Sequence, residues 1–191
     1  MALRGIPSIA PHRAIGKPPG ATNYCLNGNV ATNTTGWGTS GSSTIARSTE
    51  QVLYGTHSLK VTYVDNVDFV YYSVTLPAAG TYTHACSVYI PTAWDGTAMT
   101  LRIAGFTGSS GGANTSLDMT KRDQWQYVYS TFTVVAGDLA GFCLYVRADG
   151  APTSGRFIYV SNGQIVAGGP VPYIPTDGGT ASRGELLVVA P

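Results

Sequence analysis

Hydrophobic and polar positions alternate along most of this chain with a period of two. In SLKVTYV (58–64), Leu59, Val61 and Tyr63 share one face while Lys60 and Thr62 share the other. In QYVYSTFTV (126–134), Val128, Phe132 and Val134 fall together, opposite Tyr127, Tyr129 and Thr131. Such alternation marks strands that turn one face to a core and the other outward. Strands are predicted over 23–30, 44–48, 58–64, 69–76, 82–90, 98–104, 126–134, 141–147, 156–161 and 163–166. They are short, rich in Val, Ile, Thr and Tyr, and separated by Gly, Pro, Asn or Asp turns. No window sustains a helical period. The expected fold is all-β, an antiparallel two-sheet sandwich.

The two ends break this pattern. Residues 1–22 contain Pro7, Pro11, Pro18 and Pro19, a density that prevents a helix and favours extended backbone. Ile6, Ile9 and Ile15 stand between the prolines, too apolar for a simple solvated linker. Three organisational units are expected: an extended Pro-rich basic arm over 1–22, a sandwich over 23–176, and a tail over 177–191. The arm is read as docking on a neighbouring subunit, with Ile6, Ile9 and Ile15 filling apolar pockets while Arg4, Arg13 and Lys17 pair with acidic surface. The tail, ending GELLVVAP, is suited to adding a strand to a neighbour's open sheet edge.

Composition supports a turn-rich β protein rather than a disordered one. Hydrophobic residues make up 43% of the 191, whereas charged residues are only 11%, against about 25% in ordinary soluble domains. The net charge of +1 excludes a bulk argument for nucleic-acid binding. Before Glu50 the charged residues are all basic (Arg4, Arg13, Lys17, Arg47), a positive arm on a mildly negative body. No run approaches the roughly 20 apolar residues that cross a membrane, and MALRGIPSIAPHR lacks the apolar stretch of a signal peptide. Cys25, Cys86 and Cys143 are read as buried thiols in a chain made in a reducing cytoplasm.

Four stretches, in order, carry a family resemblance. TNYCLNGNVATNTTGW (22–37) places Asn23, Asn27, Gly36 and Trp37 as in the opening of carbohydrate-binding-module-like jelly rolls. AGTYTHACSVYI (79–90) resembles an inner strand of that module, and QWQYVYSTFTV resembles another through Trp125, Ser130, Phe132 and Thr133. The closing Gln164, Gly168, Tyr173-Ile174-Pro175-Thr176, with Arg183 beyond, is similar to the ending of such modules in tailed-bacteriophage virion proteins. The resemblance covers about residues 22–183 and implies a jelly roll. In calcium-binding members it implies an opening Glu and a late Asp; here those places fall near Ala31 and at Ser161, so no metal or other cofactor is expected.

Catalytic motifs do not survive their context. GWGTSG (36–41) matches a dinucleotide fingerprint without the strand and helix it needs, and is read as a glycine-rich loop. GSSGG (108–112) matches a nucleophile elbow at Ser110, but no His follows His84. His12, His57 and His84 lack ligand spacing, and His84 is read as a partly buried strand residue. Asp95, Asp118 and Asp123 sit in turn contexts rather than as facing carboxylates. Two sequons, at Asn33 and Asn114, carry no meaning without secretion.

Aromatic residues are the remaining functional constellation. Trp94, Trp125, Tyr127 and Tyr129, with Tyr71 and Tyr72, are suited to stacking on sugar rings. Trp94, in the loop PTAWDG, is the first candidate for a glycan or subunit contact, with Tyr127 and Tyr129 beside it, and a subunit contact is favoured. From the resemblance, the expected function is that of a non-enzymatic structural protein of a bacteriophage virion, most simply a minor tail or tail-tip protein. Its expected partners are other virion proteins and copies of itself. A capsid decoration protein and a carbohydrate-binding module that adsorbs to host-surface glycan are the alternatives. Neither nucleic acid nor membrane is an expected partner, and the expected location is the virion.

Overall fold

A computed structural model describes residues 20–65, 67–106, 110–111, 114–150, 152–179 and 181–182. The arm residues Arg4, Ile6, Ile9, Arg13, Ile15 and Lys17 lie outside this range, as does the GELLVVAP tail. The described elements are all strands: β1 (Thr22–Asn23), β2 (Trp37–Thr39), β3 (Thr44–Ser48), β4 (Ser58–Thr62), β5 (Phe69–Thr75), β6 (Gly80–Tyr89), β7 (Met99–Ala104), β8 (Ser110–Gly111), β9 (Thr115–Ser116), β10 (Trp125–Val134), β11 (Ala140–Ala148), β12 (Phe157–Ala167) and β13 (Ala181–Ser182). One sheet runs β3-β4-β12-β6-β10-β8, and a second runs β2-β5-β11-β7-β9. All pairings are antiparallel, and β1 with β13 forms a separate two-stranded ribbon. This is the expected β-sandwich.

Alternation places the core between the sheets. Leu59, Val61 and Tyr63 are fully buried, as are Val88 of β6 and Ile158 of β12. Val70, Leu101, Cys143 and Val146 face them from the other sheet. Along β10, Gln126, Val128, Ser130, Phe132 and Val134 point inward while Tyr127, Tyr129 and Thr131 point out. The three cysteines are free and buried, as their isolation in the sequence implied.

Three expected elements differ. Residues 23–30 are not a strand: after β1 the chain turns, because asparagine side chains offer the backbone local partners that compete with a ladder. GWGTSG is not wholly a loop, since Trp37–Thr39 forms β2 at the edge of the five-stranded sheet. The two strands expected at 156–161 and 163–166 are one strand, β12, bent by a bulge between Ser161 and Gln164. Asn162 there takes φ 57°, and Gly163 packs so closely on Trp37, Leu144 and Cys25 that a Cβ would lie 2.9 Å from the indole.

The opening and closing stretches are joined by buried side chains. Asn23 donates to the carbonyls of Gly163 and Ile174 and accepts from the amides of Cys25 and Ile165. Gln164 donates to Val171 O and accepts from Ile174 N, and Thr176 links Cys25 O to Gly28 N. Ala181 and Ser182 pair with Asn23 and Thr22 of the same chain.

Candidate functional site

The outer face of the five-stranded sheet carries a row of four rings. Alternation along β5 turns Val70, Tyr72 and Val74 inward and leaves Phe69, Tyr71 and Ser73 outward. On the neighbouring β11 the register shifts between Cys143 and Val146, so that Leu144 and Tyr145 together oppose Tyr71. The extra residue is Leu144, at φ 51°, with its side chain fully buried. Its amide, pulled out of the ladder, donates to Nδ1 of His84 at 3.0 Å. The bulge brings Phe142 and Tyr145 to the same outer face as Phe69 and Tyr71. Ring centroids lie 4.4 Å apart for Phe142 and Tyr71, 5.8 Å for Tyr71 and Phe69, and 4.0 Å for Phe69 and Tyr145.

Glycine makes room for this row. Gly38 of β2 sits opposite Tyr71, and a Cβ there would lie 2.7 Å from the phenol ring. Beyond Phe142 the face continues into a shallow depression of about 400 Å³ lined by Ser73, Thr75, Gly105 and Gly141.

A polar cluster flanks the rings. Tyr145 pairs with Arg102 of β7, and Arg147 pairs with Phe69 on one side and Thr100 on the other. Asp149, just past β11, accepts from Arg102 Nη2 at 2.6 Å and from the Thr100 hydroxyl. Arg147 Nε lies 3.2 Å from the same Asp149 oxygen. Burial pushes the Tyr145 phenol up, while Arg147 and Arg102 pull it back. Among the described residues no group of three or more His, Cys, Asp or Glu side chains converges.

The aromatic residues singled out in the sequence separate into three groups. Trp94 is a core residue, only 3% exposed, with its ring 5.2 Å from Tyr63 in a T-shaped contact; it is not a surface contact. Its loop folds back because a tryptophan's large apolar surface is more stable inside than in water. Tyr72 is also buried, edge-on to Trp37, and its hydroxyl accepts from Leu26 N. Only Tyr71 joins the row of rings.

Trp125, Tyr127 and Tyr129 lie on the other sheet. Tyr127 and Tyr129 are 53% and 46% exposed, with ring centroids 6.0 Å apart. They border a groove of about 430 Å³ whose far wall is Asn162 and Pro170 to Tyr173. Phe69, Phe142, Tyr145, Arg102, Arg147 and Asp149 were not singled out in the sequence. Alternation along FVYYSVT would have paired Phe69 with Tyr71, but strict alternation along GFCLYVR separates Phe142 from Tyr145, and only the bulge reunites them.

The three aspartates hold loops instead of facing one another: Asp118 within its own turn, Asp95 and Asp123 across to segments distant in sequence. Asp95 accepts from Thr153 N and Arg156, Asp118 from Thr120 N, and Asp123 from Thr92 N. His84 is fully buried rather than partly, and burial lowers its pKa to about 3. The family's calcium chemistry does not fit these residues. Ser161 is buried and bonded to Asn162, and the Arg47 guanidinium already donates to the carbonyls of Val30 and Ala31. A fixed cation at those oxygens opposes a second one.

No protein-family model matches the chain, and no curated protein matches it in sequence. Solved structures do. A carbohydrate-binding module, TmCBM61 in complex with β-1,4-galactotriose, superposes with a TM-score of 0.55 at 15% identity, over 76% of this chain and 99% of the other. The CBM22-1 xylan-binding domain of Paenibacillus barcinonensis Xyn10C gives 0.51 at 14% identity, over 76% and 92%. The enzymatically active domain of bacteriophage CBA120 tailspike protein 4 gives 0.53 at 12% identity, over 75% of this chain and 21% of that one. At these identities the likeness is one of fold: the chain has the β-sandwich architecture of carbohydrate-binding-module jelly rolls.

Proposed function

We propose that the chain is a non-catalytic glycan-binding module whose contact surface is the outer face of the five-stranded sheet. The row Phe142, Tyr71, Phe69 and Tyr145 carries this reading. The four rings are half-buried and stand at 51°, 87° and 51° to one another, so pyranose C–H faces would meet the rings' outward portions in turn, while a few convergent polar groups orient the sugar. No strand packs over this face among the described residues. Glycoside hydrolysis requires two facing carboxylates; Asp149 is instead held by Thr100 and Arg102, with Arg147 alongside. The fold neighbours, a galactotriose complex and a xylan-binding domain, support the class.

Calorimetric titration with a panel of neutral and acidic oligosaccharides tests it. Tyr71→Ala and Tyr145→Ala are expected to weaken binding at least about ten-fold each, the scale of a lost aromatic stack. Tyr127→Ser with Tyr129→Ser is expected to leave it unchanged. The opposite pattern moves the site to the six-stranded sheet.

A second reading is a structural protein of a bacteriophage virion. The exposed Tyr127 and Tyr129 beside the Pro170–Tyr173 segment favour a partner surface, and one fold neighbour is a tailspike domain. Loss of particle incorporation in the Tyr127→Ser/Tyr129→Ser variant, with glycan affinity intact, supports it.

A further inference from the structure

A row of rings selects for pyranoses but says little about which one. Charge does the selecting, and this face has a surplus of it. Resting on the glycan-binding reading, we infer that the ligand is an anionic glycan, and that Arg147 is the residue that reads its acidic group.

The argument begins with Asp149. One of its oxygens accepts from Arg102 and the other from the Thr100 hydroxyl, and Arg102 Nε also donates to Thr100 at 2.7 Å. That set satisfies the carboxylate with one guanidinium. Arg147 is a second guanidinium against the same charge: its buried Nε approaches to 3.2 Å yet makes no hydrogen bond. Two fixed positive charges therefore face one negative charge. The Arg147 side chain is only 26% exposed, so part of its hydration is already gone. A half-desolvated cation without a full set of acceptors costs stability unless an anion arrives.

Position supports the same conclusion. Arg147 stands directly across the ladder from Phe69, and Tyr145 lies next to Arg102, so both guanidiniums border the Phe69–Tyr145 end of the ring row. A sugar stacked at that end presents a ring substituent to Arg147. A guanidinium is a planar fork of donors that matches a carboxylate, sulfate or phosphate with two parallel hydrogen bonds. The low charge content of the chain, 11%, sharpens the contrast between this corner and the rest of the surface.

The test uses the full chain and three probes of one length: neutral β-1,4-galactotriose, trigalacturonate, and a sulfated galactotriose. One of the anionic probes is expected to bind about ten-fold more tightly than the neutral one, the scale of one added charge-assisted hydrogen bond. The advantage shrinks as salt is raised from about 50 to about 500 mM. Whichever anion is preferred names the source, uronate or sulfate ester. Arg147→Gln abolishes the preference while leaving the neutral sugar bound, and Arg147→Lys, which keeps the charge without the fork, retains part of it. Thermal melts confirm that both variants are folded. Equal affinity for all three probes overturns the anionic class and leaves the glycan reading standing, whereas an anionic preference that survives unaltered in a folded Arg147→Gln or Arg147→Lys variant overturns Arg147 as its reader. Failure of a folded chain to bind any of the three overturns both.

Discussion

Trp94 shows how a single residue misleads when read in isolation. It sits in a Pro–Gly-flanked loop, which suggests exposure, yet its ring is packed edge-on against Tyr63. Trp94→Ala is therefore expected to destabilise the fold by about 3 kcal/mol or more rather than to remove a ligand contact. Denaturant titration reads this directly; unchanged stability would return Trp94 to the surface. His84 makes a second residue-scale case. Its Nδ1 accepts from Leu144 N, which requires a neutral ring, and burial holds its pKa at about 3. Below about pH 6.5 the unfolded chain takes up a proton that the native chain refuses, so this contribution is fully present above pH 6.5 and falls as pH drops toward 3. The slope is about 1.4 kcal/mol per pH unit at most. Urea midpoints at pH 7 and pH 5 are expected to separate by more in the native chain than in His84→Asn, which keeps an acceptor but does not titrate. Equal separations would show that His84 is not held neutral.

At the scale of the element, strict alternation made β4 and β10 readable, because a period of two is all that a regular half-buried strand requires. Bulges are where that reading stopped. In β12 the Asn162-Gly163 pair marks the irregularity in its own residue types, since both tolerate positive φ. In β11 nothing local does: leucine is a poor occupant of φ 51°, and it is held there by a buried side chain and the bond to His84, sixty positions away in sequence. Deleting Leu144 removes the extra residue and leaves Phe142 and Tyr145 at alternate positions, still on one outer face. Glycan affinity is therefore expected to persist, while stability falls by about 2 kcal/mol or more because a fully buried leucine and the bond its amide gives His84 are lost. Calorimetric titration and denaturant unfolding of the deletion variant check both; affinity lost in a folded variant would mean that the bulge sets the spacing of the rings and not only their facing.

For the whole molecule, the first and last of the four stretches that carried the family resemblance, 22–37 and the closing segment from Gln164 to Thr176, prove to be in contact through Asn23 and Thr176. The glycan and virion readings separate on the arm. Removing residues 1–19 leaves sugar affinity and melting temperature unchanged under the first. Under the second it abolishes incorporation into particles, as a co-sedimentation assay of assembled particles would record. The candidate face itself was only partly legible. Tyr71 was noticed, but paired with Tyr72, which the pleat turns into the core; Arg102, Arg147 and Asp149 lie on segments separated by more than forty residues and meet only across the β7–β11 ladder.

The sequence by itself determined the class of fold and the inward face of each regular strand, because these depend on spacing of a few residues and on side-chain chemistry. Tertiary structure decided which outward rings share a surface and which cations stand beside them. That outcome depends on sheet order, on a bulge stabilised by a distant histidine, and on glycines that let one strand's rings lie across another, none of which has a local signature.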